Sequence, residues 1–214
     1  FDLAELIDME TLHEIERRAR ALNPDVILIS EPWSFRGNHK QKLKETSWSA
    51  WNNDFREPVK HFLMGHGDRE QVMKSLRGSV DLWTARPLQS VNYLESHDDM
   101  CLTDELSAAP DRNGNLITED LAAKSRLGAT LIFTSLGIPM IAEGQEFLRS
   151  KFGIRNTYDR GDPLNALRWT DRDRPLARLT QNYYEGLMKL RMSSAGDAFK
   201  VGDTIPGEHY RWIR

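Results

Sequence analysis

The sequence predicts an α/β fold in which parallel strands alternate with helices, and three observations carry that reading. The runs Val26-Ile27-Leu28-Ile29 and Ile138-Pro139-Met140-Ile141-Ala142 are short and apolar with no polar alternation, as strands covered on both faces are. The stretches between strand-like runs carry apolar residues at spacings of three and four, the period of a half-buried helix. Acidic or polar clusters fall just past the strand-like runs, where an open parallel sheet or a barrel places its ligands. Strands joined through helices imply right-handed crossovers.

The elements follow in order. Met9, Leu12, Ile15, Ala19 and Leu22 define a first amphipathic helix, which Asn23-Pro24 ends because proline disfavours helix in the residue before it. Val26–Ile29 is the first strand. Trp48–Trp51 is a weaker strand candidate, followed by helical patterns over Asp54–Met64 and Arg69–Leu76. Ser90–Leu94 reads as the next strand. After a turn at Asn113-Gly114, Thr118 is placed to cap a helix with Glu119 and Asp120 in its first turn. That helix runs to about Ser135, with Gly137 as its stop. Ile138–Ala142 is the last strong strand, and Leu179, Tyr183, Leu187 and Leu190 mark a final helix. The segment from Lys151 to Pro175 is rich in Asp, Arg, Asn and Gly, and its length suggests a functional loop.

Composition narrows the classes. With 214 residues, 39% hydrophobic and 29% charged, the chain has the make-up of a globular protein. A formal charge of −3 and the lack of a basic stripe argue against nucleic acid as a partner. No apolar run approaches the roughly 20 residues that span a bilayer, so no membrane partner is expected. The single cysteine, Cys101, excludes an internal disulfide and a cysteine-rich metal site. His13, His39, His61 and His66 lack metal-ligand spacing. Asp111-Arg112-Asn113-Gly114-Asn115 has its glycine misplaced for an EF-hand loop and lacks the bidentate Glu. The expectation is therefore no metal site and no cofactor; a structural calcium has no motif behind it.

Three acidic motifs carry the chemistry: Phe1-Asp2-Leu3, Ser30-Glu31-Pro32-Trp33, and Asn92-Tyr93-Leu94-Glu95-Ser96-His97-Asp98-Asp99. Taken singly, each has a plain alternative. Asp2 suits a helix cap, Glu31-Pro32-Trp33 a surface turn, and His97-Asp98-Asp99 a metal cluster or a solvated strand end. Together, on successive strand ends, they supply what glycosidic cleavage needs: one carboxylate to attack, one carboxylic acid to protonate the leaving oxygen, and polar groups to hold a distorted ring.

In this order the three motifs resemble those of the α-amylase superfamily, glycoside hydrolase family thirteen. The resemblance implies Asp2 as nucleophile at the end of the fourth barrel strand, Glu31 as acid on the fifth, and Asp98 as stabilising Asp on the seventh. Further along, Gly144-Gln145-Glu146-Phe147-Leu148-Arg149-Ser150-Lys151, Asn156-Thr157-Tyr158, Asn165-Ala166-Leu167-Arg168-Trp169 and Trp51-Asn52-Asn53-Asp54-Phe55-Arg56 resemble segments of pullulanases and related debranching enzymes. The family's Arg two residues before the nucleophile and its third-strand D-x-x-x-N-H element have no counterpart, and Ser30 stands where Gly is common.

The resemblance implies the C-terminal half of a (β/α)₈ barrel, truncated at both ends. Residues 1–200 would run from the end of strand four through helix eight, and 201–214 would begin a truncated C-terminal β domain. The implied function is a retaining glycoside hydrolase that cuts α-1,6 branch linkages through a covalent glycosyl-enzyme. Its partner is an α-glucan such as pullulan, amylopectin, glycogen or a limit dextrin. The alternatives are an α-1,4-glucan hydrolase or glucanotransferase of the same superfamily, and a glucan-binding fragment without turnover. The 214 residues alone are expected to be inactive. Glu31 should have a raised pKa through the charges of Asp2 and Asp98. His97 would help Asp98 hold sugar hydroxyls, and Trp33 would cover a sugar face or simply pack. Arg149 and Asn156 would line the groove or stabilise their loop. Trp48, Trp51, Trp83 and Trp169 are read as packing residues.

Overall fold

Residues 1–107 and 117–200 are described by a computed structural model of the chain. The expected turn at Asn113-Gly114 and the expected β segment at 201–214 lie outside the described residues.

The first helix, α1 (Met9–Leu22), has the predicted bounds, and Asp8 caps it by accepting from Thr11 N at 2.8 Å. β1 follows at Ile29–Ser30, shorter and later than the apolar run suggested. The run's first residue serves the turn out of α1, where Val26 N donates to Asn23 O at 3.1 Å, and Ile27 is 65% exposed. A small hairpin, β2 (Trp33–Ser34) with β3 (Gly37–Asn38), sits beyond β1. β4 (Ser49–Trp51) leads into α2 (Asn53–Leu63) and α3 (Arg69–Leu76). Pro58 removes the amide that would have bonded Asp54 O in α2, and the Ser75 hydroxyl donates to that carbonyl instead.

β5 (Ser90–Asn92) precedes the short α4 (Leu102–Leu106) and the longer α5 (Glu119–Thr134). Thr118 caps α5 as expected, its hydroxyl accepting from Leu121 N at 3.2 Å. Gly137 then turns the chain at φ +110°, where a Cβ would stand 2.6 Å from Ser90 O; only glycine fits so close to the next strand. β6 holds only Ile138–Pro139. Met140 N still reaches Asn92 O at 2.9 Å, but Ala142 O accepts from Gln145 N, so the rest of the apolar run belongs to a turn. α6 (Asp162–Asn165) interrupts the long loop, and α7 (Pro175–Met192) closes the described chain apart from a last 3₁₀ segment at Ser194–Phe199.

The four main strands are parallel and lie in the order β1-β4-β5-β6. Phe1 adds a further rung outside β1. Its N-terminal amine donates to Ile29 O and its carbonyl accepts from Glu31 N, each at 2.9 Å, the slanted pattern of a parallel pair. Every carboxyl end therefore points one way: Asp2 follows the Phe1 rung, Glu31 follows β1, Asn52 follows β4, and Tyr93 to Asp98 follow β5.

Helices cover the sheet through two main clusters. Phe55, Val59, Leu63, Leu76, Leu94, Leu102 and Ile132 bind α2, α3, α4 and α5 together, while Leu12, Leu28, Leu43, Trp48, Ala50 and Trp83 seat α1. Each fully buried Leu or Phe here contributes roughly 1.5–3 kcal/mol. Between strands, Asn52 Nδ2 donates to Ser79 Oγ and Ser90 Oγ, and Asn92 Nδ2 to Ser135 Oγ and Leu136 O, at 2.6–2.9 Å. These satisfied polar groups fix the strand ends.

Candidate active site

Glu31 leaves β1 buried, at 2% exposure. Its backbone is held by Phe1 and by Ala4 N, which donates to Glu31 O at 3.0 Å, and its Oε2 accepts from Leu3 N at 2.6 Å. The other oxygen, Oε1, is buried with no hydrogen-bond partner. A carboxylate in that position is costly, whereas a protonated acid is not. Burial accordingly pushes the Glu31 pKa up first; the neighbouring Asp2 carboxyl adds to this, while Leu3 N–H and His97 pull it down. The sequence reading credited the rise to charge from Asp2 and Asp98; burial leads instead.

Ser30, the departure from the family's glycine, is fully buried, and its hydroxyl meets His39 Nε2 at 3.2 Å. His39 is itself buried, and burial lowers its pKa, which favours the neutral ring. The serine thus anchors the strand end beside Glu31.

Asp2, Glu31 and His97 each bring one carboxylate or imidazole atom within 4.8 Å of the others. These three are also the group of described residues that could jointly reach a metal ion. His97 Nε2 lies 3.6 Å from both Asp2 Oδ1 and Asp98 Oδ2. The four residues come from three chain segments, and parallel strand order alone assembles them. Asp2 and His97 are open to solvent, with side chains 68% and 50% exposed.

Beside the cluster runs a cleft of about 500 Å³, lined among others by Trp51, Glu95, His97, Arg149, Lys151 and Tyr158. Trp51 stands 5.4 Å from the His97 ring, 5.3 Å from Tyr93 and 6.3 Å from Trp33. Trp33 is therefore one ring removed from His97, and the Arg56 guanidinium lies 5.9 Å over its face. Arg149 lines the cleft, but its guanidinium donates to Glu143 O and Asn165 O. Asn156 is exposed, and its Oδ1 accepts from Asp99 N at 2.8 Å. The Lys151–Pro175 loop does border the cleft, through Lys151, Tyr158 and Asn165.

Sequence reasoning missed two participants. Trp51, read as packing, faces both the cleft and His97. Glu95, inside a quoted motif but given no role, is a buried carboxyl at the cleft. Burial pushes its pKa up to about 7, against the Leu102 amide, Cys101, Arg149 and Lys151, which lower it. The signal was its place three residues past β5, where the chain still runs buried.

Comparison with known proteins follows the same lines. No family model matches the chain. A pullulanase from Bacillus subtilis strain 168 is 32% identical over 226 aligned residues, covering 94% of this chain and 30% of the relative. The solved pullulanase of Bacillus acidopullulyticus superposes with a TM-score of 0.81 at 26% identity, over 94% of this chain and 26% of that one. The pullulanase of Paenibacillus barengoltzii, solved in complex with maltohexaose and α-cyclodextrin, gives 0.77 at 29% identity, over 89% of this chain and 32% of that one. The chain thus spans about 30% of the length of the curated relative it matches. The parallel sheet with its helices fits part of a TIM-barrel-like domain, as those neighbours have it. Along nearly its whole length the chain is thus similar to a segment of the pullulanases.

Proposed function

We propose that the protein to which this chain belongs is a retaining α-glucan hydrolase that cuts α-1,6 branch linkages. The observation that carries the proposal is the close approach of Asp2 to the buried Glu31, whose pKa burial raises, at the carboxyl ends of adjacent parallel strands. Carboxyls separated by about 5–5.5 Å suit retention, whereas inversion needs room for a water between them. The α-1,6 preference and the α-glucan substrate rest on likeness to pullulanases, one of them solved with maltohexaose. Residues 1–200 are read as the part of a (β/α)₈ barrel from the end of its fourth strand through its eighth helix.

In the first step the Asp2 carboxylate attacks the anomeric carbon. The glycosidic C–O bond breaks, and Glu31 gives its proton to the departing oxygen. Glu31, now ionised, then takes a proton from water; the hydroxide oxygen bonds to the anomeric carbon and Asp2 leaves. Asp98 and His97 hold ring hydroxyls and favour the flattened, oxocarbenium-like ring. Trp51 and Trp33 offer apolar faces on which a sugar can stack. Arg149 and Asn156 border the substrate path, and the chemistry uses no metal or cofactor.

The direct test is to trap the intermediate. A fluorinated α-glucosyl substrate that forms the glycosyl-enzyme quickly and releases it slowly should label the full-length protein once. Peptide mapping should put the label on Asp2. A label on another carboxylate, or rapid turnover with net inversion, would refute the assignment.

A further inference from the structure

Asp99 and Asn156 lie 57 positions apart and both adopt left-handed backbone, at φ 61° and 48°. Non-glycine residues take this conformation at a cost, and Asn and Asp bear it best. They face each other reciprocally: Asp99 N donates to Asn156 Oδ1 at 2.8 Å, and Asn156 N donates to Asp99 O at 3.0 Å. These are the only backbone hydrogen bonds made between Ser96 and Met100 among the described residues.

The Asn156 side of this contact is firmly built. Thr157 is buried, its hydroxyl donates to Asn165 Oδ1 at 2.7 Å, and its carbonyl accepts from Asn165 Nδ2 at 2.6 Å. The loop's start is tied to α4, where the buried Asp104 accepts from Ser150 Oγ at 2.5 Å and Lys151 N at 2.8 Å. The Asp99 carboxylate adds Arg155 at 2.6 Å and Arg56 at 3.6 Å, and Arg56 Nη1 also reaches the Tyr93 hydroxyl at 3.2 Å. By contrast, among the described residues the side chains of His97 and Asp98 make no hydrogen bond to the loop: His97 lies near Asp2, Glu31, Asp98 and the Trp51 ring, and Asp98 near His97.

We propose that the Asp99–Asn156 pair is a clasp that positions His97 and Asp98 for transition-state binding, so that Asn156 serves the reaction by holding the loop and not by binding sugar. The proposal rests on the hydrolase reading above. A lax loop would let Asp98 drift, and a displacement of about 1 Å at a catalytic group costs on the order of a hundredfold in rate. Of its side chain Asn156 gives this pair only the oxygen, so a residue that keeps the oxygen and tolerates left-handed backbone should suffice.

The test uses the full-length enzyme and three substitutions, with thermal unfolding measured for each. Asn156→Gly relieves the backbone but deletes the acceptor; kcat should fall at least tenfold, with KM within about threefold of the parent. Asn156→Asp keeps the acceptor and should recover kcat to within about threefold. Asp99→Asn keeps both backbone bonds and should retain more kcat than Asn156→Gly. The clasp is overturned if Asn156→Gly leaves kcat within twofold. It is equally overturned if Asn156→Asp fails to recover, or if the dominant loss is in KM, the signature of a direct sugar contact. An inactive parent enzyme would refute the hydrolase reading itself, whereas an active parent with unmoved variants refutes only the clasp.

Discussion

His97 Nε2 stands 3.6 Å from Asp2 Oδ1 and 3.6 Å from Asp98 Oδ2, between two carboxylates that follow different strands at the same carboxyl end of the sheet. The contact joins the Phe1 rung outside β1 to the loop after β5, two strands away. A donor in this position can bind a hydroxyl of the reacting ring while keeping the two acids apart. His97→Ala should therefore lower kcat/KM by about a hundredfold, near 3 kcal/mol of transition-state binding. Steady-state kinetics on a branched α-glucan measure this; a loss under threefold would remove His97 from the site.

The roles of the two carboxyls separate by leaving group. Asp2→Asn and Glu31→Gln should each cut turnover of natural glucans by about a thousandfold or more. Substrates with activated leaving groups need no proton in the first step, so Glu31→Gln should retain much of its first-step rate on them and Asp2→Asn should not. Azide should restore Asp2→Asn as a β-configured glycosyl azide. Equal losses that neither azide nor a better leaving group relieves would contradict the assignment.

The Glu31 acid should set the alkaline limb of activity. Its pKa is raised, chiefly by burial and next by Asp2, and the working form is protonated. Activity must then fall as pH rises through that raised pKa. Asp2→Asn should bring the Glu31 titration down part of the way toward an ordinary carboxylate, because burial remains. A ¹³C-detected NMR titration of the Glu31 carboxyl checks the direction; an upward shift would be inconsistent with this electrostatic account.

Glu95 should make stability fall with pH. Its folded pKa, near 7, lies above the value of 4.5 for a free Glu, so the folded state holds the proton more tightly. Stability is unaffected below about pH 4, declines as pH rises from the free value to 7, and stays reduced above that. The shift corresponds to roughly 3 kcal/mol. Glu95→Gln keeps an oxygen for Leu102 N, now bound at 2.8 Å, without the charge. The variant should match the parent at pH 4.5 and unfold at a higher temperature at pH 8. Equal melting temperatures at pH 8 would show that Glu95 stays ionised at no cost.

Much of this was legible in the sequence because local rules governed it. α1 and α3 have the expected bounds: Asn23-Pro24 ends α1, and in the structure Asp8 and Asp68 cap the two helices. Strand lengths were less legible. Apolar character marks burial, not pairing, so Val26 and Ile141 read as strand although one closes a turn and the other packs on α5 and α7. The order of Asp2, Glu31 and Asp98 was visible as motifs after strands, but their convergence depends on parallel pairing, which no single segment encodes. Asn156 was singled out through a motif, whereas its hydrogen bonds to Asp99 bridge 57 positions and leave no local signature. The place of Trp51 at the cleft was hidden for a similar reason: an aromatic looks the same in sequence whether it faces a core or a cleft.

The central claim is cleavage at α-1,6 branch points by the Asp2–Glu31 pair. Digestion of pullulan by the full-length protein, with the products separated and identified, tests it most directly. Maltotriose as the main product, absent from a parallel digest with Asp2→Asn, is the predicted result. Panose, or no cleavage of pullulan alongside brisk hydrolysis of linear amylose, would contradict the account.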